Sequence, residues 1–143
     1  MLHIRRTLTV LLLTLFAAAA WAENDADALY QQAQASYEAQ HYQAALDLME
    51  KAVEQEPENS HFQHFLGKCY GRLAEQSNPL SALSLATKTR KAFEKAVQLD
   101  GHNVSALRDL MQYYREAPGF LGGSKKKADQ IEKQLQDIGI SAG

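Results

Sequence analysis

His61-x-x-His64 places two imidazoles one helical turn apart, a spacing that sets two potential ligands of a divalent metal on the same helix face. A metal centre needs at least a third ligand, and none is evident, because Cys69 points elsewhere on the same helical pattern. Both histidines therefore read as solvated polar residues, and no metal or other cofactor is expected. Ser124-Lys125-Lys126-Lys127 spells Ser-x-x-Lys, in which a lysine activates a serine nucleophile. That chemistry requires a sheet-backed site with further Lys and Ser partners, so Ser124 reads instead as a helix cap. Gly119-x-x-Gly122-Gly123-Ser124-Lys125 has the glycines and lysine of a phosphate loop, but the order is Gly-Ser-Lys and no strand precedes it. Nucleotide hydrolysis is not supported. A glycine-rich helix start followed by lysines can still hold an anion or a lipid headgroup through free amides and the helix dipole. Gly123, Ser124, Lys125, Lys126 and Lys127 are therefore kept as an alternative binding site. Asn103-Val104-Ser105 matches a glycosylation sequon, but Asn103 reads as a turn or cap residue. No paired carboxylates fall in an apolar cleft and no Ser/His/Asp set emerges, so the sequence does not read as that of an enzyme.

The segments that carry these residues divide at Ala22. Met1 to Ala22 has a basic start at Arg5 and Arg6, an apolar run from Leu8 to Ala20, and a small-x-small end at Ala20-Trp21-Ala22. This is the pattern of a secretory signal peptide, and the uncharged run is shorter than the roughly 20 residues that span a bilayer. The expected location after cleavage is periplasmic or secreted, with no membrane span left in the chain. Cys69, the only cysteine, then allows no intramolecular disulfide and reads as a small buried hydrophobe. Residues 23–143 carry 13 basic against 17 acidic side chains, so the remainder is mildly acidic. A nucleic-acid binder needs the opposite balance, an excess of Lys and Arg that displaces counterions.

From Ala26 onward helix formers dominate and no segment alternates like a strand, so the fold class is all-α. Small residues recur at fixed separations, with Ala33, Ala45, Ala52 and Pro57 marking a helix-turn-helix unit over residues 26–59. Ala33 and Ala45 are small where two helices cross, Tyr37 and Tyr42 fill the space beside the crossing, and Pro57 ends the second helix. A second unit spans 60–103, its first helix capped by Ser60 or Asn59, and Phe93-Glu94-Lys95-Ala96-Val97 repeats Met49-Glu50-Lys51-Ala52-Val53 with ten extra residues inserted near 75–86. Asn78-Pro79 is a good helix start, and Leu80, Leu83, Ala86, Phe93, Ala96 and Val97 continue one apolar stripe, so the insertion reads as added length on the second helix of the unit and not as a loop. A third unit over 104–138 places Leu107, Leu110, Met111 and Tyr114 inward, then Ala128, Ile131, Leu135 and Ile138, with Gly139 as the stop. Six helices in three hairpins are expected. One hairpin cannot bury its own apolar face, so the units must stack.

Leu66-Gly67-x-x-Tyr70 combined with Ala45, Met49 and Pro57 resembles the tetratricopeptide repeat (TPR) family over about residues 26–138. Leu29 and Gln63 stand where that family has Trp, Thr89 where it has a packing Ala, and Gly101 where it has Pro. The segment from Tyr113 to Lys125 is similar to a stretch of small exported bacterial proteins of the family. The resemblance implies a short right-handed α-solenoid that acts as a scaffold in the cell envelope. It also implies a concave face lined by the first helix of each unit. On that face fall Tyr30, Gln34 and Tyr37, then His64, Lys68 and Arg72, then Arg108, Gln112 and Arg115, each trio at helical spacing. Such a groove is aromatic at one end and basic from its middle onward, which suits an acidic or C-terminal segment of a protein or peptide partner. Tyr30 and Gln34 replace the Lys and Asn of the family's carboxylate clamp, so a chaperone-tail ligand is not implied.

Overall fold

The computed structural model describes residues 25–140, and the signal-peptide reading and its cleavage point lie outside them. Six α-helices follow one another: α1 (Ala26–Glu38), α2 (Tyr42–Gln55), α3 (Ser60–Gln76), α4 (Pro79–Leu99), α5 (Val104–Glu116) and α6 (Lys125–Asp137). A single 3-10 turn, Gly119–Leu121, interrupts the last connection, and there is no strand among the described residues. The all-α expectation and the number of helices are thereby met. Each helix packs mainly on its neighbours in the chain, with a smaller contact between α3 and α5. No helix among the described residues is long and apolar enough to cross a membrane.

Local chemistry accounts for the helix ends. Asn59 accepts hydrogen bonds from the amides of His61 and Phe62, Asn78 from Ser81, Asn103 from Ala106 and Ser124 from Lys127, each occupying a donor that the first turn leaves free. Pro79 occupies the first turn of α4, where its missing amide hydrogen is no loss. At the other end, α2 stops at Gln55, two residues before Pro57.

The buried apolar residues form two clusters among the described residues. Leu29, Ala33, Ala45, Met49, Ala52, Phe62 and Phe65 lie in the first, built by α1, α2 and α3. Phe93, Leu107, Leu110, Met111, Tyr114, Ile131 and Leu135 lie in the second, built by α4, α5 and α6. Ala33, Ala45, Ala52 and Ala96 have no accessible surface, so each holds a helix crossing at its closest approach. Gly67 does the same for α3 and α4, since a Cβ there would sit 2.6 Å from the Phe93 ring. Cys69 is buried in the first cluster, and burial pushes its thiol up to about 12 against the opposing charge of Lys68.

Three expectations need correction. Leu80 is 80% and Leu83 42% exposed, so the inserted turns of α4 are helical but do not continue the buried stripe. Alignment of the two pentapeptides explains this: α4 begins seven residues earlier than its counterpart α2, past the reach of the helices beside it. Ser60, a candidate cap, is instead buried, donating to the carbonyl of Ala96 at 2.8 Å and accepting from Asn103 Nδ2 at 2.8 Å. His64 is not solvated but nearly buried, for a reason that belongs to the candidate site.

Candidate functional site

The second and third hairpins enclose an open groove of about 430 Å³. Lys68, Arg72 and Glu75 of α3 form one wall, and Asp109, Gln112, Tyr113 and Glu116 of α5 the other. Ala86, Thr89 and Phe93 of α4 supply the floor, and Tyr37 of α1 closes one end. On the floor Thr89 packs beside Gly71 of α3, and its hydroxyl is turned back onto the carbonyl of Leu85 at 2.9 Å.

Aromatic rings and ion pairs organise the α3 wall. Lys68 Nζ lies 5.4 Å from the centroid of Tyr37 and 5.5 Å from that of Phe65, which gives the ammonium two ring faces to rest on. Arg72 donates to Tyr37 Oη at 3.2 Å and to Glu75 Oε2 at 2.9 Å, and those two partners keep its guanidinium firmly charged. Across the groove, His64 Nε2 lies 2.6 Å from Asp109 Oδ2, with the imidazole 5.6 Å from the Phe93 ring. This bond crosses from α3 to α5, so His64 fixes the spacing of the walls from beneath while Asp109 faces the groove. Gln112 donates to Glu116 at 3.0 Å, leaving that carboxylate on the rim.

Of the nine residues expected on a concave face, Tyr37, Lys68, Arg72 and Gln112 line this groove. Tyr30 stacks on Phe62 and Phe65 at 5.1 and 5.4 Å and accepts a hydrogen bond from Gln34, so that pair belongs to the edge of the first core. Arg108 is exposed outside the lining, and Arg115 is bound to Glu132 of α6 at 2.8 Å. The groove face of α5 runs through 109, 112, 113 and 116, not through 108, 112 and 115. One residue is about 100° of helix, enough to exchange two arginines for two carboxylates. The expected basic groove is therefore a mixed one, with its two cations on α3 facing Asp109 and Glu116 on α5. The signal was present in the sequence, since Asp109 and Glu116 sit three and four residues from Gln112, the same-face spacing used to select the arginines.

The glycine and lysine turn is occupied by its own backbone. The Gly123 amide donates to the carbonyl of Pro118 at 3.1 Å and the Ser124 amide to that of Tyr114 at 2.8 Å. Ser124 Oγ takes the Lys127 amide at 3.3 Å. A Cβ at position 123 would run into the carbonyl of Ala117, so Gly123 is required by the turn itself. Lys125, Lys126 and Lys127 are all exposed, and Lys127 lies over the Tyr114 ring at 5.2 Å. No group of three or more His, Cys, Asp or Glu side chains that could hold a metal ion exists among the described residues.

A protein-family model described as alkyl sulfatase dimerisation matches residues 17–95, more than half of the chain. The resemblance to the tetratricopeptide repeat family is overturned by this match, and no match to that family accompanies it. The small residues at 33, 45 and 52 answer a need that any tightly crossed pair of antiparallel helices has, so their spacing does not identify one family. No curated protein matches the chain.

Proposed function

The chain belongs to the alkyl sulfatase dimerisation family, and from that premise we propose that it is a non-catalytic helical interaction module that associates with polypeptides, a second copy of itself included. In this reading its three hairpins stack as a short solenoid. The apolar leader at residues 8–20 directs it to the periplasm or the exterior, where it serves as a scaffold. The observation that carries the peptide-binding part is the groove between α3 and α5, with an apolar floor at Phe93 and Ala86, Lys68 and the Glu75-paired Arg72 on one wall, and Asp109 and Glu116 on the other. An extended segment placed there meets Lys68 and the Glu75-paired Arg72 along one edge and Asp109 and Glu116 along the other, so acidic groups suit the Lys68 end of the first edge and basic groups suit the second. The self-association part is supported by the family description.

Affinity copurification from the cell envelope tests the groove. A partner captured by the parent protein should be lost or weakened when Lys68→Ala and Arg72→Ala are combined, with less sensitivity to salt in the binding that remains. Arg108→Ala, outside the lining, should leave capture unchanged. Full capture by the double variant would remove the groove from the reading.

A further inference from the structure

The tip of the α3–α4 hairpin stands apart from the rest of the surface. By the internal repeat, α4 starts seven residues before the counterpart of the α2 start, and α3 runs four residues past the counterpart of the α1 end. At 1.5 Å per residue, these are extensions of roughly 10 and 6 Å. Leu80 and Leu83 are strongly exposed on this extension; among the described residues the other exposed large hydrophobic side chain is Phe120, on a different connection. The extension is well formed without a covering partner, since Asn78 caps α4 and Ser77 Oγ donates to the carbonyl of Leu73 at 2.7 Å.

Residues 76–87 contain no Asp, Glu, Lys, Arg or His, in a chain that is 22% charged. This bears on what the tip can meet. In a two-fold contact each side chain faces its own counterpart or a near neighbour, so a patch carrying net charge repels itself and an uncharged apolar patch does not. Ser81 and Ser84, both small and exposed, flank the leucines and allow a second helix to come close. We propose that this tip, with Leu80 and Leu83 at its centre, is the surface through which two copies of the chain associate about a two-fold axis. The proposal rests on the self-association reading above and names its surface. Two leucines on a hairpin tip cover much less than the ~800 Å² per partner of a standard interface, so the dimer dissociates on dilution.

Sedimentation of the protein as recovered from producing cells, across a range of concentrations, gives the first test. A concentration-dependent dimer is expected. Leu80→Asp combined with Leu83→Asp should raise its dissociation constant at least ten-fold with helicity unchanged, because both side chains are exposed and the new charges oppose their own copies. A parent dimer that persists unaltered in the variant overturns this surface while leaving self-association standing. A parent that is monomeric throughout overturns both. Ser84→Cys offers a measurement that does not depend on the double variant, since the native Cys69 is buried. Oxidation should trap a disulfide-linked pair of twice the chain mass, while Lys125→Cys on α6 should trap none. No adduct, or an adduct with a different protein, overturns the second copy as the occupant.

Discussion

Residues 49–53 and 93–97 spell Met-Glu-Lys-Ala-Val and Phe-Glu-Lys-Ala-Val, and both glutamates accept a hydrogen bond from the tyrosine twenty positions later. Glu50 holds Tyr70 at 3.0 Å in an exposed site, with Lys88 over the ring at 5.4 Å. Glu94 holds Tyr114 at 2.6 Å in a partly buried one, with Lys127 over the ring at 5.2 Å. The same arrangement has thus been built twice, and its surroundings differ. Where the first copy has the buried Leu46, the second has Arg90, which donates to both oxygens of Glu94 at 2.9 Å. Where the first has Met49 in a core shared with Ala33, the second has Phe93 against Gly67. Helix pairing reproduces a side-chain contact from sequence, whereas neighbouring elements decide how much that contact contributes.

The largest expected asymmetry is in the glutamates. Glu94→Ala leaves Arg90 and the Tyr114 hydroxyl without their partner in a partly buried site and should lower stability by about 3 kcal/mol. Glu50→Ala should cost less than about 1 kcal/mol, as exposed pairs do. Chemical denaturation midpoints measure both, and equal losses would break the comparison. The second asymmetry is steric. Gly67→Ala should cost about 2 kcal/mol by pressing on the Phe93 ring. Phe93→Met, which restores the side chain of the first copy, should recover most of that loss when the two are combined. No recovery would mean that the ring is not what excludes the methyl group.

Acid should then weaken the Glu94 site. Burial pushes the Glu94 carboxyl upward, but hydrogen bonds from Tyr114 and Arg90 with the charge of Lys127 outweigh it and hold the group below its ordinary 4.5. A depressed carboxylate contributes stability that is complete above the unfolded value and disappears as pH falls through the folded one. Stability of the parent should therefore decline below about pH 4.5, with a shallower decline in Glu94→Gln. In alkali the direction reverses. Burial and the bond to Glu50 push the Tyr70 hydroxyl from 10.0 up to about 12, so its contribution is intact below pH 10 and fades as pH rises between those values. Absorbance titration of phenolate should show that late ionisation move earlier in Glu50→Gln. The smallest effect belongs to the lysines over the rings: Lys88→Gln and Lys127→Gln should each cost about 0.5 kcal/mol or less.

Much of this was legible because it is local. The caps at Asn78, Asn103 and Ser124 depend on a side chain and the amides two or three residues later, and each acts as its position in the sequence suggests. The small residues at 33 and 45 were recognisable as crossing points for a similar reason, since close helix approach explains their spacing among larger apolar neighbours. The candidate site was less legible. Lys68 and Arg72 were found from spacing along one helix, but the facing wall was misplaced by a single residue, which exchanged Arg108 and Arg115 for Asp109 and Glu116. His64 illustrates the same limit from the other side: its polarity suggested solvent, and its burial comes from α5 carrying Asp109 across to it.

The sequence by itself determined where α4, α5 and α6 begin, that Ala33 and Ala45 must be small, and that two glutamates and two tyrosines recur in register. Those are consequences of backbone geometry and of periodicities within about thirty residues. Only the tertiary structure decided how far each helix is rotated about its own axis, which leucines of α4 outreach their neighbours, and which of the two glutamates is shielded by an arginine. Rotation and shielding depend on what lies opposite. For a helix face the opposite surface is supplied by residues distant in the chain, and a pattern along one strand of sequence contains no term for them.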